Sequence, residues 1–186
     1  MQTSRLIIFN SAEISADKIL NFYKKNFEFF SPTSPLRPPE FLSLPYWQSQ
    51  IEKDILERST DTAYRFWISL KQVPQTILGF THFTQIFRGP FQACYLGYAI
   101  DQNHQNQGYT TEALSFLIQK MFHEHNLHRI MANHLPQNQA SARVLEKLGF
   151  TVEGRARQYL QINGKWEDHI LTSLTNPDWK EPGRNS

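Results

Sequence analysis

The stretch that most constrains this chain is residues 98–117, Y-A-I-D-Q-N-H-Q-N-Q-G-Y-T-T-E-A-L-S-F-L. An apolar strand ending at Ile100 runs into a polar loop, and Gly108 admits the chain to an amphipathic helix. Such a strand–loop–helix is suited to holding an anion. The first-turn N–H groups have no partner within the helix, and the positive end of the helix dipole faces the loop. A glycine at 108 lets a ligand come close to the backbone. Neither G-x-x-x-x-G-K-[ST] nor G-x-G-x-x-G occurs anywhere in the chain. Taken alone, the loop fits an ordinary strand-to-helix turn equally well.

At 186 residues the chain is long enough for one domain with a substantial core, expected over 1–179 with a polar tail at 180–186. With 40% hydrophobic and 19% charged residues it reads as globular. A net charge of +2 gives no footprint for direct nucleic-acid binding. The lone Cys94 cannot form an internal disulfide and sits in an apolar strand, as a small core residue would. No apolar run approaches the roughly 20 residues of a membrane helix, and 6–9 is too short for a secretory signal. A cytoplasmic protein is the expectation.

In chain order, 5–9 reads as a short strand, and Ser15 as the cap of a helix burying Ile19, Leu20, Phe22, Tyr23 and Phe27. Proline and serine dominate 31–39, an extended loop that either connects two helices or walls one side of a cleft. Residues 40–58 read as the second helix. Strands follow at 64–70 and 76–87, joined by a turn at Val73-Pro74, and then at 92–100. After Gly108, Ala113, Leu114, Leu117, Ile118, Met121 and Phe122 form one core stripe. His123, His125 and His128 lack the spacing and companions of a metal site, so no metal is expected. A strand at 129–133 completes a right-handed βαβ unit, making it parallel to the strand ending at Ile100. A helix from about 136 stops at Gly149, and Asn163-Gly164 marks a final hairpin between 159–162 and 165–170.

Gln105-Asn106-Gln107-Gly108-Tyr109-Thr110 resembles the Q/R-x-x-G-x-G/A signature of the GNAT superfamily of N-acetyltransferases, with Thr110 where Gly or Ala is usual. The run from Asn138 to Phe150 is similar to that family's N-x-x-S-x-x-V-L-x-K-x-G-F motif, at the expected separation. Residues 88–98, 128–133 and 166–179 resemble one branch of it, the enzymes that acetylate the N-terminal alanine of small-subunit ribosomal protein five. The resemblance implies an α/β (α+β) GNAT fold: a mixed, strongly twisted sheet, splayed between two parallel strands and flanked by helices. It also implies acetyl-CoA as co-substrate. Backbone groups around Tyr98 and Ile100 would pair with the pantetheine arm, and the loop from Gln105 through Asn106, Gln107, Gly108 and Tyr109 to Thr110 would cradle the pyrophosphate. Asn138 would bond the pantetheine, with Arg143 or Lys147 near the nucleotide phosphates. Read from the residues alone, Asn138 suits a helix N-cap and Arg143 and Lys147 suit a solvated face.

The implied chemistry is direct attack of an amine on the thioester carbon, through a tetrahedral oxyanion, with CoA thiolate leaving. Ser141 matches the position that serves as general acid in related enzymes, and is the expected catalytic residue. The matching base position in a relative is a glutamate, but here it falls at Gln158, which cannot take a proton. Glu112, His134 and Tyr98 are base candidates by location only. Glu112 equally suits a helix first turn, and His134 an exposed strand end. An α-amine of pKa ~7.8 is roughly a tenth neutral at pH 7, against well under a thousandth for a lysine at ~10.4. A missing carboxylate base therefore favours an N-terminal amine acceptor, the N-terminus of a ribosomal protein. Two rival readings stay open: acetylation of a small amine such as a polyamine or aminoglycoside, and a CoA-binding ribosome assembly factor with little catalysis.

Overall fold

Alternation of apolar side chains at 94, 96, 98 and 100 builds the strand around which the others assemble. The computed structural model describes residues 1–181. In chain order its elements are β1 (Leu6–Asn10), α1 (Ala16–Phe30), α2 (Leu44–Ser59), β2 (Tyr64–Leu70), β3 (Val73–Phe87), β4 (Ala93–Ile100), α3 (Tyr109–Glu124), β5 (Arg129–His134), α4 (Gln139–Lys147), β6 (Thr151–Ile162) and β7 (Lys165–Thr175). The strands form one sheet in the order β1-β2-β3-β4-β5-β7-β6. Among the described residues only β4 and β5 pair in parallel, as the βαβ reading requires.

Each face of the sheet carries its own core. On one side, α3 and α4 cover Phe66, Phe83, Cys94 and Ile130, and all six residues of the α3 stripe are buried. On the other, α1 and α2 bury an aromatic cluster in which Tyr23 stacks on Trp47 at 4.6 Å and meets Phe41 edge-on at 4.9 Å. Cys94 is fully buried, and burial pushes its thiol up to about 12, as expected for a core residue.

Local details differ from the sequence reading in several places. Ser15 occupies the N-cap position of α1, but its side chain makes no cap bond. The capping box lies one turn earlier, where Asn10 accepts from Ala12 N and Glu13 returns to Asn10 N. The second helix does not run from 40: a 3-10 turn (Pro39–Leu42) ends at Ser43, which caps α2 from Tyr46 N. Pro45 fits only a first turn, so the helix starts there. A further 3-10 turn (Ser31–Thr33) opens the Pro-rich segment. The β2–β3 turn is Lys71-Gln72, since Leu70 pairs with Val73, and Pro74 lies at the strand start where the register shifts.

Finally, β6 begins at Thr151. Its residues 153–158 are charged and small, with no alternation to read, because an edge strand with two bulges buries almost none of them. At the C-terminal end, Trp179 Nε1 donates to Asn126 O at 3.0 Å and Asn126 Nδ2 to Lys180 O at 2.9 Å. Lys180 is therefore tied down; the rest of the tail expected to fray, save Glu181, lies outside the described residues. Among the described residues no helix is long and apolar enough to cross a membrane.

Candidate active site

The parallel pair opens almost as soon as it forms. β4 and β5 are in register at Ala93–Arg129, Cys94–Ile130 and Tyr95–Met131, and no further. Beyond Tyr95, β4 keeps its bonds to β3 on one side while the side toward β5 is free, which gives residues 96–100 an open strand edge. An extended amide chain can add to such an edge as a strand would.

At the far end of that edge lies the loop. Asn106 and Gly108 take left-handed conformations (φ 57° and 78°), and Gly108 is the N-cap of α3. The amides of Tyr109, Thr110 and Thr111 donate to no protein acceptor among the described residues, leaving a nest of N–H groups at a helix N-terminus. Two carboxylates brace this loop from behind. Glu112 accepts from Thr3 Oγ1 (2.6 Å), Ser4 Oγ (2.9 Å), Arg5 N (2.9 Å) and Arg5 Nε (2.6 Å), and Arg5 also donates to Gln107 O at 3.0 Å and lies over the Tyr109 ring. Asp101, fully buried, accepts from Lys25 Nζ (2.7 Å), Asn26 Nδ2 (3.1 Å) and Asn103 N (3.0 Å) and meets His104 Nδ1 at 2.9 Å. Asn26 in turn accepts from Gln102 N. Burial pushes both carboxyls up, but these donors outweigh it and hold each at about 2. Glu112 is thus a strut committed to the N-terminal segment and not a base, a role that required the chain's first residues to fold back.

Across the open edge, the structure brings Tyr98 and Ser141 together. Their hydroxyls lie 2.7 Å apart, linking β4 to the first turn of α4. Ser141 is placed there because Asn138 Oδ1 caps the helix by accepting from Ser141 N at 3.0 Å. Burial pushes the Tyr98 phenol up to about 12 against the effect of Ser141, so it stays protonated. Tyr98 is a hydrogen-bond donor and not a base. His134 is buried, not at an exposed strand end, with Nδ1 2.9 Å from Leu135 O on the α4 side of the sheet. Arg143 and Lys147 are exposed on α4 without an ion-pair partner among the described residues.

The opposite face of the splay holds residues that sequence reasoning missed. Tyr95 hydrogen-bonds Tyr159, which also accepts from Asn133 Nδ2 (3.2 Å) and packs on His169 (5.6 Å). His82 on β3 lies opposite Gly97. At the bulge where Gln158 sits (φ 47°), its N–H donates to Asp168 Oδ1 at 2.9 Å; that N–H and Arg155 hold the carboxyl below its ordinary range. Only strand register brings these residues together; nothing in their spacing signals it. Beyond them opens a cavity of about 360 Å³, lined by Tyr23, Phe27, Phe30, Phe41, Arg37 and Asn163 among others. The Pro-rich segment is therefore a cleft wall, latched to the β6–β7 turn by Asn163 N donating to Ser34 O at 2.9 Å. Among the described residues no group of three or more His, Cys, Asp or Glu side chains is placed to hold a metal ion.

A splayed parallel pair with an amide nest at one end of the opening is the architecture of an acyl-CoA-using transferase. The acetyltransferase (GNAT) domain model matches residues 27–151, and the chain belongs to the GNAT family of N-acetyltransferases. It is 37% identical over 184 residues to the [ribosomal protein uS5]-alanine N-acetyltransferase of Escherichia coli K12, covering 99% of this chain and 94% of that protein. Among solved structures it is similar to the ribosomal-protein-S5-alanine acetyltransferase of Vibrio fischeri (TM-score 0.90, 35% identity, 97% and 98% of the two chains). Mycobacterium smegmatis RimJ in complex with CoA-disulfide shares the fold (TM-score 0.83, 23% identity, 95% and 83%).

Proposed function

We propose that this protein transfers the acetyl group of acetyl-CoA to the N-terminal alanine amine of a ribosomal protein, uS5 by its likeness to the Escherichia coli enzyme. The observation that carries the reading is the extent of that likeness. It spans 99% of the chain, and so takes in α1, the Pro-rich segment and α2, the elements that build the acceptor cavity. The chemistry of the wall agrees. No carboxylate stands among the described residues that line the cavity, and Arg37 does, which suits a short apolar peptide end better than a polycation.

The residues fit acetyl-CoA. The amides of residues 105–110 would take its pyrophosphate, the open edge of β4 around Tyr98 and Ile100 its pantetheine amides, and Asn138 a further pantetheine bond through the amide nitrogen left over from capping. Mycobacterium smegmatis RimJ, which shares the fold, is in complex with CoA-disulfide, in keeping with CoA as the class of ligand. The amine attacks the thioester carbon as a neutral nucleophile and the C–S bond breaks with its electron pair on sulfur. Ser141, hydrogen-bonded to the Tyr98 phenol 2.7 Å away, gives the leaving thiolate a proton, and the proton lost by the attacking nitrogen returns to Ser141 through solvent. With Glu112 and Tyr98 committed to other bonds and Gln158 unable to take a proton, the already partly neutral α-amine is the acceptor that needs a base least.

Mass spectrometry of a peptide panel incubated with purified protein and acetyl-CoA tests the proposal. The panel holds N-terminal ribosomal-protein peptides lacking methionine, a lysine peptide with a blocked N-terminus, and spermidine. The expected result is one added acetyl group on the alanine-first uS5 peptide alone. Transfer only to spermidine would replace the peptide reading with the small-amine one, and no transfer with acetyl-CoA still bound would favour an assembly factor.

A further inference from the structure

His82 and Gly97 face each other at the mouth of the splay in a manner that ordinary packing does not require. Gly97 is the second residue past the last β4–β5 pair, so it borders the opening itself. The His82 imidazole lies over it so closely that a methyl group at 97 would overlap Nε2 unless the ring moved. The ring is largely buried, stacked at 5.6 Å on Phe80, which in turn packs on Tyr23 in the wall of the acceptor cavity. Neither ring nitrogen has a hydrogen-bond partner among the described residues. Neither nitrogen is among the sealed, unbonded polar atoms of the structure, so Nε2 stands open at the cleft as an acceptor for an entering donor.

We propose that His82 Nε2 receives an N–H of the incoming amine and aims the amine lone pair at the acetyl carbon in front of Gly97. This rests on the N-acetyltransferase assignment of the splay. The hydrogen bond uses one N–H and leaves the nitrogen lone pair for C–N bond formation. The role needs a neutral ring, since an imidazolium would present a proton where a lone pair is required. Burial lowers its affinity for a proton, and Arg65 and Arg37 act in the same direction, placing the ring at about 4. Glycine at 97 then has a function: it admits the ring, and with it the amine, to the strand that carries the thioester.

The test compares His82→Phe, which keeps the stack on Phe80 but has no nitrogen, with His82→Gln, whose amide oxygen can reach the position of Nε2. Thermal melts establish that both fold. The expected result for His82→Phe is a roughly tenfold loss in kcat/KM for the acceptor, with acetyl-CoA affinity unchanged and most of the loss regained in His82→Gln. A structural role would not be rescued by glutamine. Equal activity of wild type and His82→Phe, or equal loss in both variants, would overturn the proposal. The ratio is read with whichever amine the wild type acetylates, so a failed uS5 peptide counts against the ribosomal reading alone. Should nothing turn over, the ¹⁵N resonances of the His82 ring are followed as the uS5 peptide is titrated into the CoA-loaded protein. A shift in those resonances supports the contact, and no shift refutes it.

Discussion

The two sides of the splay are built to opposite specifications. The side proposed to take CoA is braced by charge. Asp101 and Glu112 gather eight short contacts between them, from α1, from the N-terminal segment and from the loop itself. The acceptor side is walled by aromatic rings and prolines and latched by a backbone bond at Ser34, and it leaves Leu36, Leu160 and Trp166 substantially exposed. Rigid polar bracing suits a ligand that is the same in every turnover, because pre-organised amides need no reordering when phosphate arrives. Apolar walls carry little directional information and can be reshaped without loss of the fold. Shared cofactor and divergent acceptor are what this contrast allows.

The contrast makes testable demands, the largest at the point where the two sides meet. Ser141→Ala should lower kcat by roughly 10²-fold while acetyl-CoA affinity, measured by calorimetry, holds; unchanged turnover would remove Ser141 from the mechanism. Asn26→Ala attacks the braced side. It removes one donor from buried Asp101 and the acceptor of Gln102 N, and should destabilise by about 2 kcal/mol and weaken acetyl-CoA binding, read by melting and by KM.

Acid should act on the same loop. A carboxyl held at about 2 in the fold contributes stability that is full above its ordinary value near ~4 and is lost as pH falls through the folded one. Melting temperature should therefore drop between pH 5 and 2, and less steeply in Glu112→Gln. An identical slope in that variant would show that Glu112 is not part of the acid response. The smallest effect is expected on the acceptor side. Leu36→Ala should change stability by no more than roughly 0.5 kcal/mol and alter KM for peptide without altering KM for acetyl-CoA. A change in the latter would mean the two sides are not independent.

Much of this was legible in the chain. The core stripe from Ala113 to Phe122, the entry into a helix at Gly108, the parallel pair and the Asn163-Gly164 turn follow from local periodicity and backbone preference, which act between near neighbours. Ser141 and Asn138 were legible through a motif whose spacing fixes one helix turn. What could not be read is whatever depends on register and on the chain's return. Glu112 looks like a first-turn acid until residues 3–5 fold back on it, and His82 looks like one polar residue in a strand until β4 sets Gly97 beneath it. β6 could not be seen because an edge strand buries too little to impose a pattern. Chain-local information was enough for most of the elements, their order and the strand–loop–helix over 98–117, since those are short-range consequences of side-chain size and glycine placement. The tertiary structure alone decided which acids are struts, which hydroxyls meet and which histidine faces the opening. A hydrogen bond or a close approach across β4 is a distance between residues far apart in the chain, and only the register of strands fixes it.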